Sequence, residues 1–309
     1  MSENIIISGA TGFIGRRLTA HLTANDYQVI ALSRHPEKYQ NQFNEKVRFI
    51  QWNGKELDPW PSGLTEVKAV INLAGENIGA GLWTRKRKQR LLASRLSATR
   101  GLVTALQQSP VKPVMFIQMS AIGYYGIQGA VLLDESSPLG SGFLADLTNQ
   151  WEEAASEVSG FGTKLVKLRT GLVLGKGGGL LARLTPAFRF FLGGHFGKGD
   201  QWMSWIHLED VVRIIHFILM KKPAASVYNL TAPEPVLARD FFQTVGRMLH
   251  RPSWLHSPEW PLKLVLGEMA RETILSSQKV SPAQLLRIGF EFKYSQLTAA
   301  LQEVFSQEN

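Results

Sequence analysis

Seven residues constrain this chain more than any others: Gly9-Ala-Thr-Gly12-Phe-Ile-Gly15, set directly after the apolar run Asn4-Ile-Ile-Ile-Ser8. A short, unbroken apolar run suits a strand buried on both faces of a parallel sheet. A helical pattern follows through Phe13, Ile14, Leu18 and Leu22. A strand, a glycine turn and a helix N-terminus in that order make a cradle for a pyrophosphate. The anion needs main-chain N–H groups and no side chains in its way, and glycines supply the tight turn, the close approach and the helix–strand contact. Glycine spacing alone is weak; the strand–turn–helix context makes it specific.

Further strands are expected over 27–32, 47–52, 69–74, 114–119, 164–168 and 227–230. Helices are expected over about 84–108, through Trp151, and over about 209–220. Parallel neighbours need crossovers, so this alternation predicts an α/β fold: a Rossmann-type doubly wound parallel sheet of six or seven strands. After Gly171 the pattern gives way to glycine clusters and aromatics, among them Phe188, Phe190, Phe191, Phe196, Trp202 and Trp205. The division expected is 1–172 as the nucleotide-binding domain, with 205–230 returning to it, and 173–309 as a smaller cap or substrate domain. A helical extension is expected over about 255–305. Leu262, Leu264, Val265 and Leu266, then Leu285, Leu286 and Ile288, would be costly to leave in water, so the extension is expected to pack.

The second strand runs into Leu32-Ser33-Arg34, with no acid before Glu37. An NAD-type site places an acid there to accept from the ribose hydroxyls; an acid repels a 2′-phosphate and an arginine binds it. Ser33 and Arg34 therefore point to NADP(H). Ligands of open α/β sheets lie beyond the carboxyl ends of the strands. That rule nominates Leu73, Ala74, Gly75 and Glu76, then Ser120 to Gly126, then Arg169, Thr170 and Gly171. Glu76 is a candidate acid or base, or else a surface carboxylate. His207 is a candidate crevice residue, or else a structural partner of Glu209 and Asp210.

With 44% hydrophobic residues the chain can build a full core. It has no cysteine, which excludes disulfides, zinc–thiolate sites and a cysteine nucleophile. The N-terminus lacks the basic n-region of a signal peptide, and no apolar run approaches the roughly 18 residues of a membrane span. The expectation is a cytoplasmic protein with no membrane partner. Lys plus Arg number 34 against 25 Asp plus Glu, a formal charge of +9. Much of the excess lies in Arg85, Lys86, Arg87, Lys88 and Arg90, on a helix whose apolar positions repeat at helical spacing. This reads as a solvated helix face, and no nucleic-acid-binding signature accompanies it.

The chain resembles the extended short-chain dehydrogenase/reductase superfamily. Within it, the likeness is to an atypical, epimerase-like family of NADP-binding oxidoreductases with a C-terminal helical extension. The blocks that carry the resemblance span essentially the whole sequence: the Gly9–Gly15 turn, Asn72-Leu-Ala-Gly-Glu76, Ser94-Arg95, Ser120-Ala-Ile-Gly-Tyr-Tyr-Gly126, Arg169-Thr-Gly-Leu-Val-Leu-Gly175, Trp205-Ile-His207 and Tyr228-Asn-Leu-Thr-Ala-Pro233. The resemblance implies NADP(H) contacts at Gly9, Thr11, Gly12, Phe13, Ile14, Gly15, Ser33, Arg34, Leu73, Ala74, Gly75, Arg95 and Val173. Glu76, Tyr125, Trp205 and His207 are the candidate substrate contacts, and no metal is expected.

One departure bears on the chemistry. The superfamily pairs a catalytic Tyr with a Lys four residues later, the Lys lowering the phenol pKa. The corresponding helix here reads Gly142-Phe-Leu-Ala-Asp-Leu-Thr-Asn-Gln-Trp-Glu152, with neither. Ser120 and Tyr124 are the remaining hydroxyl candidates for proton donation. The leading expectation is an NADP(H)-binding, epimerase-like oxidoreductase acting on an unidentified small molecule. The alternative is a non-catalytic NADP(H)-binding regulatory protein, which resemblance to plant and cyanobacterial relatives connected with plastid or cell division implies.

Overall fold

The computed structural model describes residues 3–57, 60, 61, 64, 66–255 and 257–306. In chain order its elements begin β1 (Asn4–Ser8), α1 (Phe13–Ala24), β2 (Gln28–Ser33), β3 (Val47–Gln51), β4 (Val67–Asn72), α2 (Arg85–Gln108) and β5 (Met115–Ala121). There follow β6 (Leu132–Leu133), α3 (Phe143–Glu153), β7 (Lys164–Thr170), β8 (Leu172–Leu174), α4 (Leu181–Arg189), β9 (Trp202–Met203), β10 (Trp205–His207) and α5 (Leu208–Lys221). The chain ends with β11 (Val227–Leu230), β12 (Val236–Leu237), α6 (Ala238–Met248), α7 (Glu259–Leu266), a π-helical turn (Ala270–Ile274), β13 (Lys279–Val280), α8 (Ala283–Arg287) and α9 (Leu297–Ser306).

Seven of these strands form one sheet, in the order β11-β7-β5-β4-β1-β2-β3. Pairing is parallel from β3 through β5. The expected doubly wound sheet is therefore the observed one. The order reverses between β1 and β4, the switch point where such sheets hold their ligands. Ile5, Ile6 and Ile7 have no exposed surface, as a strand covered on both faces requires.

The chain divides into two units. The first comprises Met1–Ser120, Leu147–Leu168 and Val212–Val227. Helix α2 shows why its basic run is compatible with a core: Leu91, Ala98, Leu102, Val103 and Leu106 are buried at helical spacing, while Arg85, Lys86 and Arg90 are exposed. Thr84 starts the helix by accepting from the Arg87 N–H at 3.1 Å.

The second unit comprises Ala121–Asp146, Arg169–Val211 and Tyr228–Asn309. These units are drawn differently from the expected division at 172: residues 121–146 and 169–172 fall in the second unit, and of the later segments 212–227 fall in the first. The reason is side-chain bonding that sequence order hides. Gln278 Nε2 donates to the carbonyls of Ile122 and Gly126, and the Glu272 carboxylate accepts the N–H groups of Phe143 and Leu144. The loops after β5 and β7 are held by the C-terminal segment. Its own core gathers Phe188, Trp205, Phe241, Val245, Leu301 and Phe305. The extension is anchored by Leu297, Ala300, Leu301, Val304 and Phe305 of α9, as expected of a packed segment. Helix α7 departs from that expectation: it buries none of its residues, and Leu264 and Val265 stand 78% and 66% exposed.

Candidate functional site

In the first unit, the turn after β1 is shaped by what its glycines lack. Gly9 has a φ of +75°, and a Cβ there would lie 2.9 Å from the Leu73 carbonyl oxygen. A Cβ on Gly15 would come within 2.1 Å of the Gly9 carbonyl oxygen, so only glycine lets α1 sit against the turn. Gly12 caps α1 without a side-chain bond, and the first turn carries no acid. Its N–H groups, beside Thr11, Phe13 and Ile14, suit an anion. At the end of β2, Ser33 is buried and its hydroxyl accepts from the His35 N–H, whereas the Arg34 side chain is exposed and makes no hydrogen bond or ion pair among the described residues.

Beyond β4 the Ala74 N–H donates to Asn72 Oδ1, and a Cβ on Gly75 would lie 3.2 Å from the Arg95 guanidinium carbon. Arg95 is buried, lies 4.9 Å over the Trp151 ring, and donates to the carbonyls of Leu91 and Glu76. Burial brings its pKa down to about 10, against the pull of Glu76, so it stays charged at neutral pH. Its Nε finds no partner among the described residues. Beneath these groups runs a buried chain of bonds: Ser8 to Asn72, Asn72 to Thr99 and Gln118, and Trp151 to Thr99. The network fixes the ends of β1, β4 and β5 together with α2.

Glu76 is clamped by Arg87 and Arg90. Burial raises its carboxyl pKa, but the two arginines outweigh that and hold it below the usual range. The two ion pairs favour its charged form. Ser120, at the end of β5, donates to Glu152 Oε1 at 2.6 Å, and Lys167 Nζ lies 3.6 Å from the other carboxylate oxygen. Sequence reasoning did not find Glu152 or Lys167; a buried carboxylate on α3 carries no local signal.

In the second unit, Tyr125 has no exposed surface. Its hydroxyl donates to Asn229 Oδ1 at 2.7 Å and accepts from Arg169 Nη1 at 3.1 Å. Burial raises its pKa to about 12, with Arg169 and Asn229 opposing. The same guanidinium lies 3.4 Å over the ring of Tyr124. Tyr124 is half-buried, and its hydroxyl has no hydrogen bond among the described residues. Trp205 is likewise fully buried, packs in the core of this unit and donates to the Glu234 carbonyl. Val173, Trp205 and His207 share one small sheet, with β8 parallel to β10. Both ring nitrogens of His207 are engaged, Nδ1 accepting from the Glu209 N–H and Nε2 facing Glu303 at 2.9 Å. His207 thus pairs with Glu209 through the backbone and with Glu303 through the side chain.

A parallel sheet with this switch point and this glycine turn defines a Rossmann-type dinucleotide-binding protein. The chain belongs to the NAD dependent epimerase/dehydratase family, whose profile matches residues 5–231. A domain of unknown function, DUF1731, matches 257–304, the expected C-terminal extension. The chain is 37% identical over 302 residues to the epimerase family protein SDR39U1 homolog, chloroplastic, of Arabidopsis thaliana, covering 97% of this chain and 86% of the relative. It is 35% identical to the epimerase family protein YfhF of Bacillus subtilis, covering 98% of each. The crystal structure of human epimerase family protein SDR39U1 (isoform 2) with NADPH superposes with a TM-score of 0.87 at 32% identity, over 98% of this chain and 99% of that one. Among the described residues, no helix is long and apolar enough to cross a membrane.

Proposed function

We propose that this chain is an NADPH-binding, epimerase-like oxidoreductase of the cytoplasm, acting on a small molecule. The observation that carries the proposal is the Gly9–Gly15 turn, whose space a Cβ would fill, followed at the end of β2 by Ser33 and the unpartnered Arg34. The human relative crystallised with NADPH supports the same choice. The turn's N–H groups would hold the pyrophosphate and Arg34 the 2′-phosphate, with Ser33 beside it. Arg95 and Gly75 would shape the floor, and Val173 is carried over from the family pattern. Bound NADPH supplies a hydride equivalent.

The chain's own task is then to place a proton. The Ser120 hydroxyl is committed to Glu152, so delivery of its proton to a substrate needs that bond to break. The Tyr124 hydroxyl is open, and the Arg169 cation over its ring holds the ring in place. Tyr124 is therefore the first candidate donor and Ser120 the second.

Binding is tested by calorimetry. Arg34→Ala should weaken NADPH by about 1.5–3 kcal/mol, the range of a charge-assisted contact, and leave NADH nearly unchanged. Equal weakening of both cofactors would place Arg34 outside the 2′-phosphate site. Catalysis is tested by screening carbonyl compounds with NADPH, then comparing Tyr124→Phe and Ser120→Ala at matched cofactor saturation. Tight NADPH binding with no turnover across the screen would favour the non-catalytic regulatory reading.

A further inference from the structure

In the second unit the end of α6 and the loop after it border a shallow, open cavity of about 710 Å³. Among the groups around it are Gln243, Arg247, His250, Arg251 and Ser253, and no acid is among the lining residues. Neither family profile assigns it a role, and it lies outside the elements that carry the glycine turn. We infer that this cavity binds the phosphate group of an anionic ligand.

The cavity is built by close backbone approach. A Cβ on Gly246 would lie 2.7 Å from the Arg251 carbonyl oxygen and 3.2 Å from Ser253 Cβ, so the glycine lets the loop fold back on the helix. His250, at a φ of +52°, makes the reversal. Two buried polar atoms are left without a hydrogen-bond partner among the described residues, Arg251 Nε and Ser253 Oγ. Each is a donor that an oxyanion would satisfy once the Arg251 and Ser253 side chains turn outward to meet it.

The site is at a helix C-terminus, whose partial negative charge disfavours anions. Here the final carbonyls are already occupied: Leu249 N–H bonds to Val245, His250 N–H to Arg247 and Arg251 N–H to Gly246. About half an elementary charge then opposes two full guanidinium charges, and the cations win. The Arg251 guanidinium also lies 4.9 Å from the Phe191 ring, and Trp254 beside it is 64% exposed. This aromatic rim favours a phosphoester with an apolar or planar body over a bare ion.

The test uses the full chain saturated with NADPH, so that the glycine turn does not compete for the probe. Inorganic phosphate, phenyl phosphate and vesicles of phosphatidylglycerol or phosphatidylcholine are the probes. Phenyl phosphate should bind more tightly than inorganic phosphate in calorimetric titration. Arg247→Gln with Arg251→Gln should weaken it tenfold or more, while NADPH affinity and melting temperature stay unchanged. Gly246→Ala, which fills the fold-back and leaves every charge in place, should weaken it too. Sedimentation with phosphatidylglycerol but not phosphatidylcholine vesicles, lost in the double variant, would identify a lipid headgroup as the source; its absence beside phenyl phosphate binding would identify a soluble ester. If no probe binds, or binding survives the double substitution, the inference is overturned.

Discussion

The glycine turn of the first unit and the Tyr125–Arg169–Asn229 cluster of the second solve opposite problems. The turn is made by removing side chains, and everything it needs falls within seven consecutive residues. The cluster is made by adding them, and its hydroxyl–amide bond joins residues 104 positions apart. One is an open backbone cradle whose donors await a ligand. The other is a closed knot whose donors and acceptors are already matched: Tyr125 to Asn229, Arg169 to Tyr125, and Asn229 Nδ2 to the Ser281 carbonyl. The Glu135 carboxyl accepts the backbone N–H groups of Asn229 and Gln284, and burial raises its pKa. A site for binding leaves its polar groups available; a structural joint uses them up.

The largest effect should come from filling the cradle. Gly15→Ala places a methyl group 2.1 Å from the Gly9 carbonyl oxygen and 2.7 Å from Ala10 Cα, backbone atoms that cannot swing aside. A loss of about 3 kcal/mol in unfolding free energy is expected, the upper part of the range for overpacked sites, together with NADPH binding. Gly160→Ala is the control, since a Cβ there meets nothing within 4 Å. Denaturant titration of both checks the pair; equal stabilities would mean that the turn relaxes freely and that glycine is not required.

A smaller effect is expected from opening the knot. Tyr125→Phe removes a hydroxyl that serves Asn229 and Arg169 at once, leaving a buried acceptor and a buried charged donor partly unsatisfied. Such groups cost about 1–3 kcal/mol each, so a loss near 2 kcal/mol is expected once the neighbours adjust. NADPH affinity should not change. If stability held and affinity fell instead, the cluster would belong to the ligand site and the contrast drawn here would fail.

The same contrast explains what was legible in the sequence. Strands β1, β2, β4 and β5 announce themselves because burial on both faces demands apolar runs. The turn announces itself because close approach demands glycine at fixed spacing. The two-residue strands β6, β9, β12 and β13 are too short for any periodic signal. The compact units are not legible in sequence order because Glu272 and Gln278 hold loops more than 120 residues earlier in the chain. Trp205 and His207 were visible as unusual residues, but their types do not distinguish a core packer from a ligand contact. Glu152 was invisible altogether: a carboxylate two per cent exposed has the same letter as one in water.

The smallest predicted effect tests whether the buried histidines behave as closed groups. His207 Nδ1 accepts the Glu209 N–H, which an imidazolium cannot do, while Nε2 faces Glu303. Burial lowers its pKa, with Glu303, Asp210 and Glu209 pulling the other way. Burial also lowers that of His216, helped by His21 and Lys68. Below about pH 6.5, the unfolded chain therefore binds protons that the folded chain refuses, so stability is full above that pH and is lost as pH falls through the folded values. Each histidine adds less than about 1.4 kcal/mol per pH unit to the slope, and the half-exposed His216 adds less than His207. Glu135 works in the opposite sense, because its raised pKa adds stability at low pH that is lost as pH rises. The useful quantity is consequently the difference between wild type and His207→Gln, measured by urea unfolding from pH 7 to pH 5.5. The variant should show the shallower decline. Identical slopes would mean that His207 takes up its proton as readily folded as unfolded, and that its two bonds do not close it.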